Sequence, residues 1–174
     1  MKEIPLFSNK WSNKVALVDD EDYDELIKYK WRVRFHNRNY YAWRGKWNKT
    51  EKRMEIIYMA RVILGACSGV EVDHIDHDEL NCQKQNMRLC NHFENTRNAR
   101  KCISKRNITS KYKGVSNKGG NRRRKWRAVI RVNGKDKLIG HFPTELEAAL
   151  AYDSDAKRYY GEFAHTNFKY LTTQ

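Results

Sequence analysis

A stretch of strict alternation followed by a tight turn constrains the fold of this chain more than any other feature. Residues 126–132 read WRAVIRV, so every second side chain from Trp126 to Val132 falls on one side of an extended strand and arginines fall on the other. Asn133-Gly134 follows, a pair that favours a two-residue hairpin turn, and residues 135–142 return as KDKLIGHF. The pattern predicts an antiparallel hairpin with one buried and one basic side.

A helix is predicted directly after this hairpin. Thr144 with Glu147 three residues later forms a capping box, and the alanine-rich run that follows ends at Gly161. Small residues allow a helix to pack closely on a sheet. With the change of pattern at Tyr112, we predict a three-stranded antiparallel sheet covered by this helix on one side only.

The first half of the chain favours short strands and short helices. Residues 12–18 (SNKVALV) predict a strand, and the acidic run 19–25 is typical of the first turn of a helix. Aromatic residues alternate with arginine and lysine over residues 31–47, which predicts strands. Residues 55–65 predict a strand that runs into a short helix ending at Gly65. Arg61 of that helix is interpreted equally well as a DNA-facing residue or as a surface charge.

Charge restricts the class of partner. The 174 residues carry a formal net charge of +14, and residues 110–174 hold 14 lysines and arginines against 6 aspartates and glutamates. Such an excess favours a polyanion, nucleic acid before an acidic membrane. The sequence has no apolar run of the ~20 residues that span a bilayer and no apolar signal-peptide core. We therefore expect a cytoplasmic protein. The four cysteines form no Cys-x-x-Cys pair, so free thiols are expected and a structural zinc site is not.

The segment from Val72 to Asn95, VDHIDHDELNCQKQNMRLCNHFEN, holds the residue types that phosphodiester hydrolysis requires. Asp73 offers an anionic oxygen ligand to a hard cation. His74, on the opposite side of an extended strand, offers a base for water. Asn95 offers a neutral carbonyl oxygen. Oxygen ligands suit one divalent cation, Mg²⁺ or Mn²⁺, rather than zinc.

This segment resembles the HNH nuclease motif of phage and intron-encoded homing endonucleases, which have a ββα-metal fold. The resemblance implies Asp73 and Asn95 as metal ligands and His74 as general base. It also implies that Asn86 belongs to the catalytic motif by tying its loop together with hydrogen bonds, and that Arg88 matches the arginine of a common NLR triplet. The family often has Met-His-Arg upstream, where this chain has Met59-Ala60-Arg61. His92 is either a further metal or phosphate ligand or a structural or exposed histidine.

Residues 110–168 resemble the ethylene-response-factor, or APETALA-type, DNA-binding domain in YKGV, the WRA-IRV strand, GHF, EAALAYD and the final NF. In that family the sheet lies in the DNA major groove. The third strand departs from the family, with Asp136 and Leu138 where an arginine and an aromatic residue are usual. The expected DNA-binding residues are all basic: Lys113, Lys118, Arg122, Arg123, Arg124, Arg127, Arg131 and Lys135.

These interpretations predict an α+β protein with four parts. Residues 1–54 form a β-rich region, 55–100 a ββα-metal nuclease core, 101–110 a basic linker and 111–170 the DNA-binding sheet with its helix. The linker is either a solvated tether or a segment that follows DNA phosphates.

The expected function is site-directed cleavage of double-stranded DNA by a monomer without an obligate protein partner. The resemblance implies a homing enzyme of a phage or mobile intron, in a bacterial or phage-infected cell. One such centre cuts one strand at a time, so nicking is the simplest outcome and double-strand cutting the other. The alternatives are a non-catalytic DNA-binding regulator and a nonspecific nuclease.

Overall fold

The computed structural model describes residues 1–11, 13–101, 109–119 and 123–168, and in these ranges the chain is a mixed α/β protein with small antiparallel sheets and four α-helices. Two compact units divide the chain, Met1–Asn95 and Thr96–Gln174. The boundary between them falls within a helix rather than at residue 100. The predicted linker 101–110 lies mostly outside the described residues, as does Cys102.

The first unit begins with a two-stranded antiparallel sheet, β1 (Lys2–Pro5) and β2 (Val15–Val18). Helix α1 (Asp20–Leu26) follows and has three acidic residues in its first turn, where the helix dipole favours negative charge. Both the strand and the helix were predicted from the sequence and are confirmed. Residues 13–14, which the prediction placed in the strand, precede it.

A three-stranded antiparallel sheet forms the middle of the first unit, in the order β3 (Arg32–His36), β4 (Asn39–Asn48), β5 (Arg53–Tyr58). Strand β5 runs directly into helix α2 (Met59–Ile63), as the sequence predicts. One side of the sheet packs into a core with Trp31, which is fully buried. The sheet has a core side marked by Val33 and Ala42, but the expected separation of aromatic from basic residues is not observed, because Arg32 lies on the same side as Trp43.

The last part of the first unit is a hairpin of β6 (Glu71–His74) and β7 (Met87–Cys90), paired antiparallel. A loop joins the two strands and ends in a 3-10 helix, Lys84–Asn86. Helix α3 (His92–Asn98) follows β7 after one residue. The order strand, strand, helix is thus present over the motif.

The second unit contains a three-stranded antiparallel sheet of β8 (Val115–Asn117), β9 (Trp126–Val132) and β10 (Lys135–Phe142), with β9 in the centre. Helix α4 (Glu145–Tyr160) packs on it through fully buried alanines. The Thr144 hydroxyl accepts a hydrogen bond from the Glu147 amide, so the predicted cap is confirmed.

None of the described helices is long and apolar enough to cross a membrane. Cys82 and Cys90 are buried, and burial raises the pKa of their thiols to about 12 and about 11. At neutral pH both are protonated packing residues.

Candidate functional site

Asp73 and His74 lie next to each other at the end of β6, and both are almost fully buried. Because successive side chains of a strand point to opposite sides, Asp73 shares its side with Glu71, and His74 shares the other with Val72. The hairpin pairs Asp73 with Arg88 and His74 with Met87. A carboxylate and an imidazole thus occupy adjacent positions without competing for the same space.

The Asp73 carboxylate is held by Arg88 across the hairpin. Its Oδ2 accepts a hydrogen bond from the arginine Nε at 2.8 Å and lies 2.7 Å from Nη2. The side chains are only 5% and 13% exposed, so water screens this pair weakly. The ion pair fixes the orientation of the carboxylate within the hairpin.

The His74 imidazole is poised to be neutral. Burial lowers its pKa, and the negative charges of Asp76, Asp73 and Asp78 oppose that shift to a smaller extent. A neutral imidazole can accept a proton, which an imidazolium cannot. The three nearby carboxylates would stabilise the cation that forms once the proton has been taken.

The loop after His74 is tied together by Asn86. The Asn86 Oδ1 accepts from the Asp76 amide at 3.1 Å, and its Nδ2 donates to Asp76 Oδ1 and to the carbonyl of Asn81, both at 2.9 Å. Asn86 is itself buried. These contacts give Asn86 a role in holding the loop rather than a direct role in the reaction.

Asn95 is brought to the hairpin by Glu71, a residue that the sequence interpretation missed. The Asn95 Nδ2 donates to Glu71 Oε2 at 2.7 Å, and His92 Nδ1 lies 3.0 Å from Glu71 Oε1. The hydrogen bond from Asn95 lowers the pKa of Glu71 against a smaller opposing effect of burial. Strand alternation was the signal that could have found Glu71, because it lies two residues before Asp73.

Asp73 and Glu71 share one side of the hairpin, and the side-chain amide of Asn95 is bonded to Glu71. Among the residues that the structure describes, no group of three or more His, Cys, Asp or Glu side chains could hold a metal ion. A cation here would depend on the two-ligand set of Asp73 and Asn95, completed by water and phosphate oxygens, as Mg²⁺ tolerates.

Arg61 is a structural residue. Its guanidinium donates to the carbonyls of Val70 at 2.5 Å, Cys67 at 2.8 Å and Ala66 at 3.2 Å. These bonds tie helix α2 to the segment that leads into β6. Arg61 is therefore neither a DNA-facing residue nor a simple surface charge, because its guanidinium binds carbonyls inside the first unit.

The second unit has an open sheet side opposite helix α4. Arg127 and Arg131 lie on it, at the positions that alternate with the buried Ala128 and Ile130. Lys118, Arg123 and Arg124 are exposed in the segment between β8 and β9. Arg122 lies outside the described residues.

Two of the predicted DNA-binding lysines lie elsewhere. The Lys113 ammonium donates to the carbonyls of Arg97 and Ala99, each at 2.6 Å, and burial lowers its pKa to about 8. Lys135 is exposed, but the register pairs it with Val132, on the side of the sheet that carries the helix. Neither residue is therefore part of the open side. Lys113 binds backbone carbonyls, and Lys135 lies on the side of the sheet that carries the helix.

The open side contains residues that the sequence interpretation left without a role. The register pairs Leu138 with Val129 and His141 with Arg127, and Ser116 of β8 also pairs with Arg127. A shift of register between Leu138 and Gly140 brings His141 to this side. Asp136 pairs with Arg131, and its carboxylate lies 4.0 Å from the arginine Nε.

Comparison with known proteins finds two similarities. The chain is 35% identical over 100 residues to an uncharacterised HNH endonuclease of Acanthamoeba polyphaga mimivirus, over 58% of this chain and 48% of that protein. It is 44% identical over 63 residues to dehydration-responsive element-binding protein 2D of Arabidopsis thaliana, over 35% of this chain and 29% of that protein. The chain thus spans about half or less of each relative. No protein-family model matches it, and no solved structure does.

Proposed function

We propose that the chain is a DNA endonuclease of the HNH class that hydrolyses a phosphodiester bond with one divalent cation, Mg²⁺ or Mn²⁺. The observation that carries the proposal is the pair Asp73–His74 on a buried hairpin, with Asn95 held on the Asp73 side through Glu71. The similarity to a viral protein named as an HNH endonuclease supports it.

In this proposal His74 takes a proton from the attacking water. Its burial favours the neutral form that can do so, and the carboxylates of Asp73, Asp76 and Asp78 favour the imidazolium that results. Asn86 acts through the loop, since its bonds to Asp76 and Asn81 hold the carboxylate of Asp76 near the imidazole. It is a positioning residue.

Asp73 and Asn95 are the residues that would hold the cation. When bound, a divalent cation supplies positive charge to the phosphate oxygens and to the departing 3′ oxygen. Arg88 is a positioning residue in the proposal, because its ion pair orients the Asp73 carboxylate before any cation binds. Glu71 holds the side-chain amide of Asn95.

The second unit would bring the nuclease to its DNA. Its open sheet side carries Arg127 and Arg131, and the exposed Lys118, Arg123 and Arg124 adjoin it. A sheet of this width can enter the major groove, where arginine recognises guanine and phosphate. The similarity to a plant protein named for binding a DNA element supports this part of the proposal.

The most specific form of the proposal is a site-directed homing endonuclease of a phage or mobile intron. It would act as a monomer in the cytoplasm of a bacterial host and nick one strand at each visit. A DNA-reading module in the same chain as a cutting centre supports the site-directed form over a nonspecific nuclease.

One second candidate has an observation in its favour. The similarity to a plant element-binding protein would also suit a regulator that binds DNA without cutting it. The buried Asp73–Arg88 pair argues against a regulator. Burial of an ion pair has an unfavourable desolvation free energy, and DNA binding alone does not require the pair.

The test is incubation of the full chain with supercoiled plasmid carrying genomic fragments, with Mg²⁺ or Mn²⁺ and with a chelator. We expect nicked circles only with metal, and none from His74→Ala, which should still retard DNA in a gel. His165→Ala, in the second unit, is the matched control. Binding without nicking by the unaltered chain would establish the regulator instead. A map of the cut ends separates recurring sites from random cleavage.

A further inference from the structure

The sheet of β3, β4 and β5 has one side that is turned away from the core of the first unit. The ladder pairs Val33 with Ala42, and these two buried residues mark the core side. The alternate positions lie on the opposite side and contribute no residue to the core. We call this side the aromatic–arginine face and define it by six residues: Arg32, Arg34, Tyr41, Trp43, Trp47 and Tyr58.

Large apolar side chains are exposed on this face. Trp47 is 55% exposed, its ladder partner Met54 59% and the adjacent Ile56 49%. Gly45 lies between them, where a Cβ would come within 2.5 Å of the Met54 Cε, so the surface is flat at this point. A contiguous exposed cluster of this kind marks a binding surface rather than a solvated face.

The ladder positions of the face on β3, β4 and β5 include two arginines and no carboxylate, because the acidic Glu55 is on the opposite side and bonds Asn48. The carboxylate of Glu79, from the loop between β6 and β7, lies near the face at Tyr41. The Arg34 Nη1 lies 3.4 Å from the Tyr58 hydroxyl, and the Tyr41 and Tyr58 rings meet edge to face at 5.9 Å. Cations set among aromatic rings are suited to a ligand with both phosphate and π-faces.

An open depression of about 490 Å³ adjoins the face beside β3. Arg32 and Trp43 belong to both, and Phe7, Lys10 and Lys30 complete the cationic and aromatic part of its lining. None of the residues that line it is acidic. The volume is within the range of sites that enclose one small ligand, and a single nucleotide is of that size.

The same sheet reaches the candidate nuclease site. Asn39, at the start of β4, donates from Nδ2 to Glu79 Oε1 at 2.6 Å, and Glu79 belongs to the loop between β6 and β7 that also contains Asp76. If one phosphate of a nucleic-acid strand lies at His74, other nucleotides of the same strand can therefore reach the face.

We propose that the aromatic–arginine face binds unpaired nucleotides of DNA, with Trp47 and Trp43 as stacking platforms and Arg32 and Arg34 on the phosphates. Unpaired bases are the ligand because an aromatic ring stacks on a base only when that base has left the duplex. The inference rests on the proposed function for the identity of the polymer as DNA. It adds a second DNA site, distinct from the open sheet side of the second unit.

The test is a titration of the full chain, without divalent metal, against a fluorescent oligothymidylate of about 15 nucleotides, the span of one or a few binding modules. Trp47→Ala and Arg34→Ala should each weaken binding, Trp47→Ala by on the order of 5- to 100-fold, the effect of removing one stacking ring. Lys46→Ala is the matched control, because Lys46 neighbours Trp47 but lies on the opposite side of β4. Circular dichroism of each variant checks the fold.

If Trp47→Ala and the unaltered chain bind oligothymidylate with equal affinity, the aromatic–arginine face is not the binding site. Loss of oligothymidylate binding in Arg127→Ala alone would equally rule it out. A dimer that Trp47→Ala converts to a monomer, seen by sedimentation, would assign the face to a second copy instead. Metal-dependent nicking is scored separately. If nicking is absent while the Trp47 effect stands, the proposed function fails and the DNA site remains.

Discussion

Glu71 accepts a hydrogen bond from the side-chain amide of Asn95 at 2.7 Å and so joins strand β6 to helix α3. The same carboxylate lies 3.0 Å from the His92 ring through its other oxygen. One acidic residue therefore contacts two polar side chains of helix α3. This contact orients a residue proposed to bind metal.

Glu71→Ala should slow nicking by roughly 10- to 100-fold, the usual effect of removing a partner that orients a metal ligand. The loss should shrink at high metal concentration, because Asn95 remains present but is no longer held. Glu71→Gln keeps one acceptor oxygen, so its nicking rate should lie between those of Glu71→Ala and the unaltered chain. The measurement is the nicking rate against Mg²⁺ concentration, with the exposed Glu51→Gln as control. An unchanged metal dependence in Glu71→Ala would remove Glu71 from the site.

Arg88→Ala should destabilise the protein by about 3–5 kcal/mol, since it removes the arginine from a buried ion pair and leaves the Asp73 carboxylate without that cation. Arg88→Lys should restore part of the loss. Mg²⁺ should raise the melting temperature of Arg88→Ala more than that of the unaltered chain, because a cation can replace the missing charge. Thermal unfolding with and without Mg²⁺ measures both effects. An equal response of the two proteins to Mg²⁺ would argue against a cation at Asp73.

Asn86→Ala should loosen the loop after His74. The substitution removes three hydrogen bonds, to the Asp76 amide, the Asp76 carboxylate and the Asn81 carbonyl. Each buried partner left without a hydrogen bond should destabilise the protein by about 1–3 kcal/mol. Hydrogen exchange at the Asp76 amide should accelerate and nicking should fall. The exposed Gln85→Ala next to it should change neither. Slow exchange at Asp76 in Asn86→Ala would show that other contacts hold the loop.

Lys113→Met should change stability with a defined dependence on pH. Burial lowers the Lys113 pKa to about 8, while the unfolded chain keeps the ordinary value of 10.5. Between these values the unfolded state binds more protons, so the contribution of Lys113 to the free energy of unfolding rises with pH. The difference in stability between the unaltered chain and Lys113→Met should therefore grow from pH 8 to pH 10.5, as followed by urea unfolding. A difference that is constant with pH would contradict the buried ammonium.

The same variant separates a structural from a DNA-binding lysine. Folded Lys113→Met should bind duplex DNA about as well as the unaltered chain, because its ammonium is used on the Arg97 and Ala99 carbonyls. Arg127→Ala should bind less well, since its side chain lies on the open side of the sheet. Gel retardation at physiological salt measures both, because phosphate contacts weaken as salt rises. A large loss of affinity in folded Lys113→Met would return that residue to the DNA surface.

Local chemistry explains which elements could be predicted from the sequence. The strands Trp126–Val132 and Lys135–Phe142 have the bounds that alternation and Asn133-Gly134 predict. Helix α4 begins after Thr144 and ends before Gly161, as its cap residues indicate. Period, turn and cap are properties of residues close together in the chain, so one sequence is enough to find them.

The partners of individual polar side chains could not be predicted in the same way. Lys113 was interpreted as a DNA contact from its position in the domain that residues 110–168 resemble, yet its charge binds the carbonyls of residues 14 and 16 positions earlier in the chain. Arg61 similarly binds carbonyls that follow its helix. Which acceptor a long flexible side chain reaches depends on how distant segments pack, and a charge pattern contains no information about that.

By itself, the sequence determined the strand and helix periods, the excess of positive charge in the last third of the chain and the adjacency of Asp73 and His74. These follow from covalent order and from the preferences of neighbouring residues. Only the tertiary structure decided that Arg88 neutralises Asp73, that Glu71 holds Asn95, and that the β3–β4–β5 sheet leaves an aromatic and basic side in solvent. Each of these depends on strand register and on contacts between distant segments, because a side chain's partner and exposure are set by what packs against it rather than by its position in the chain.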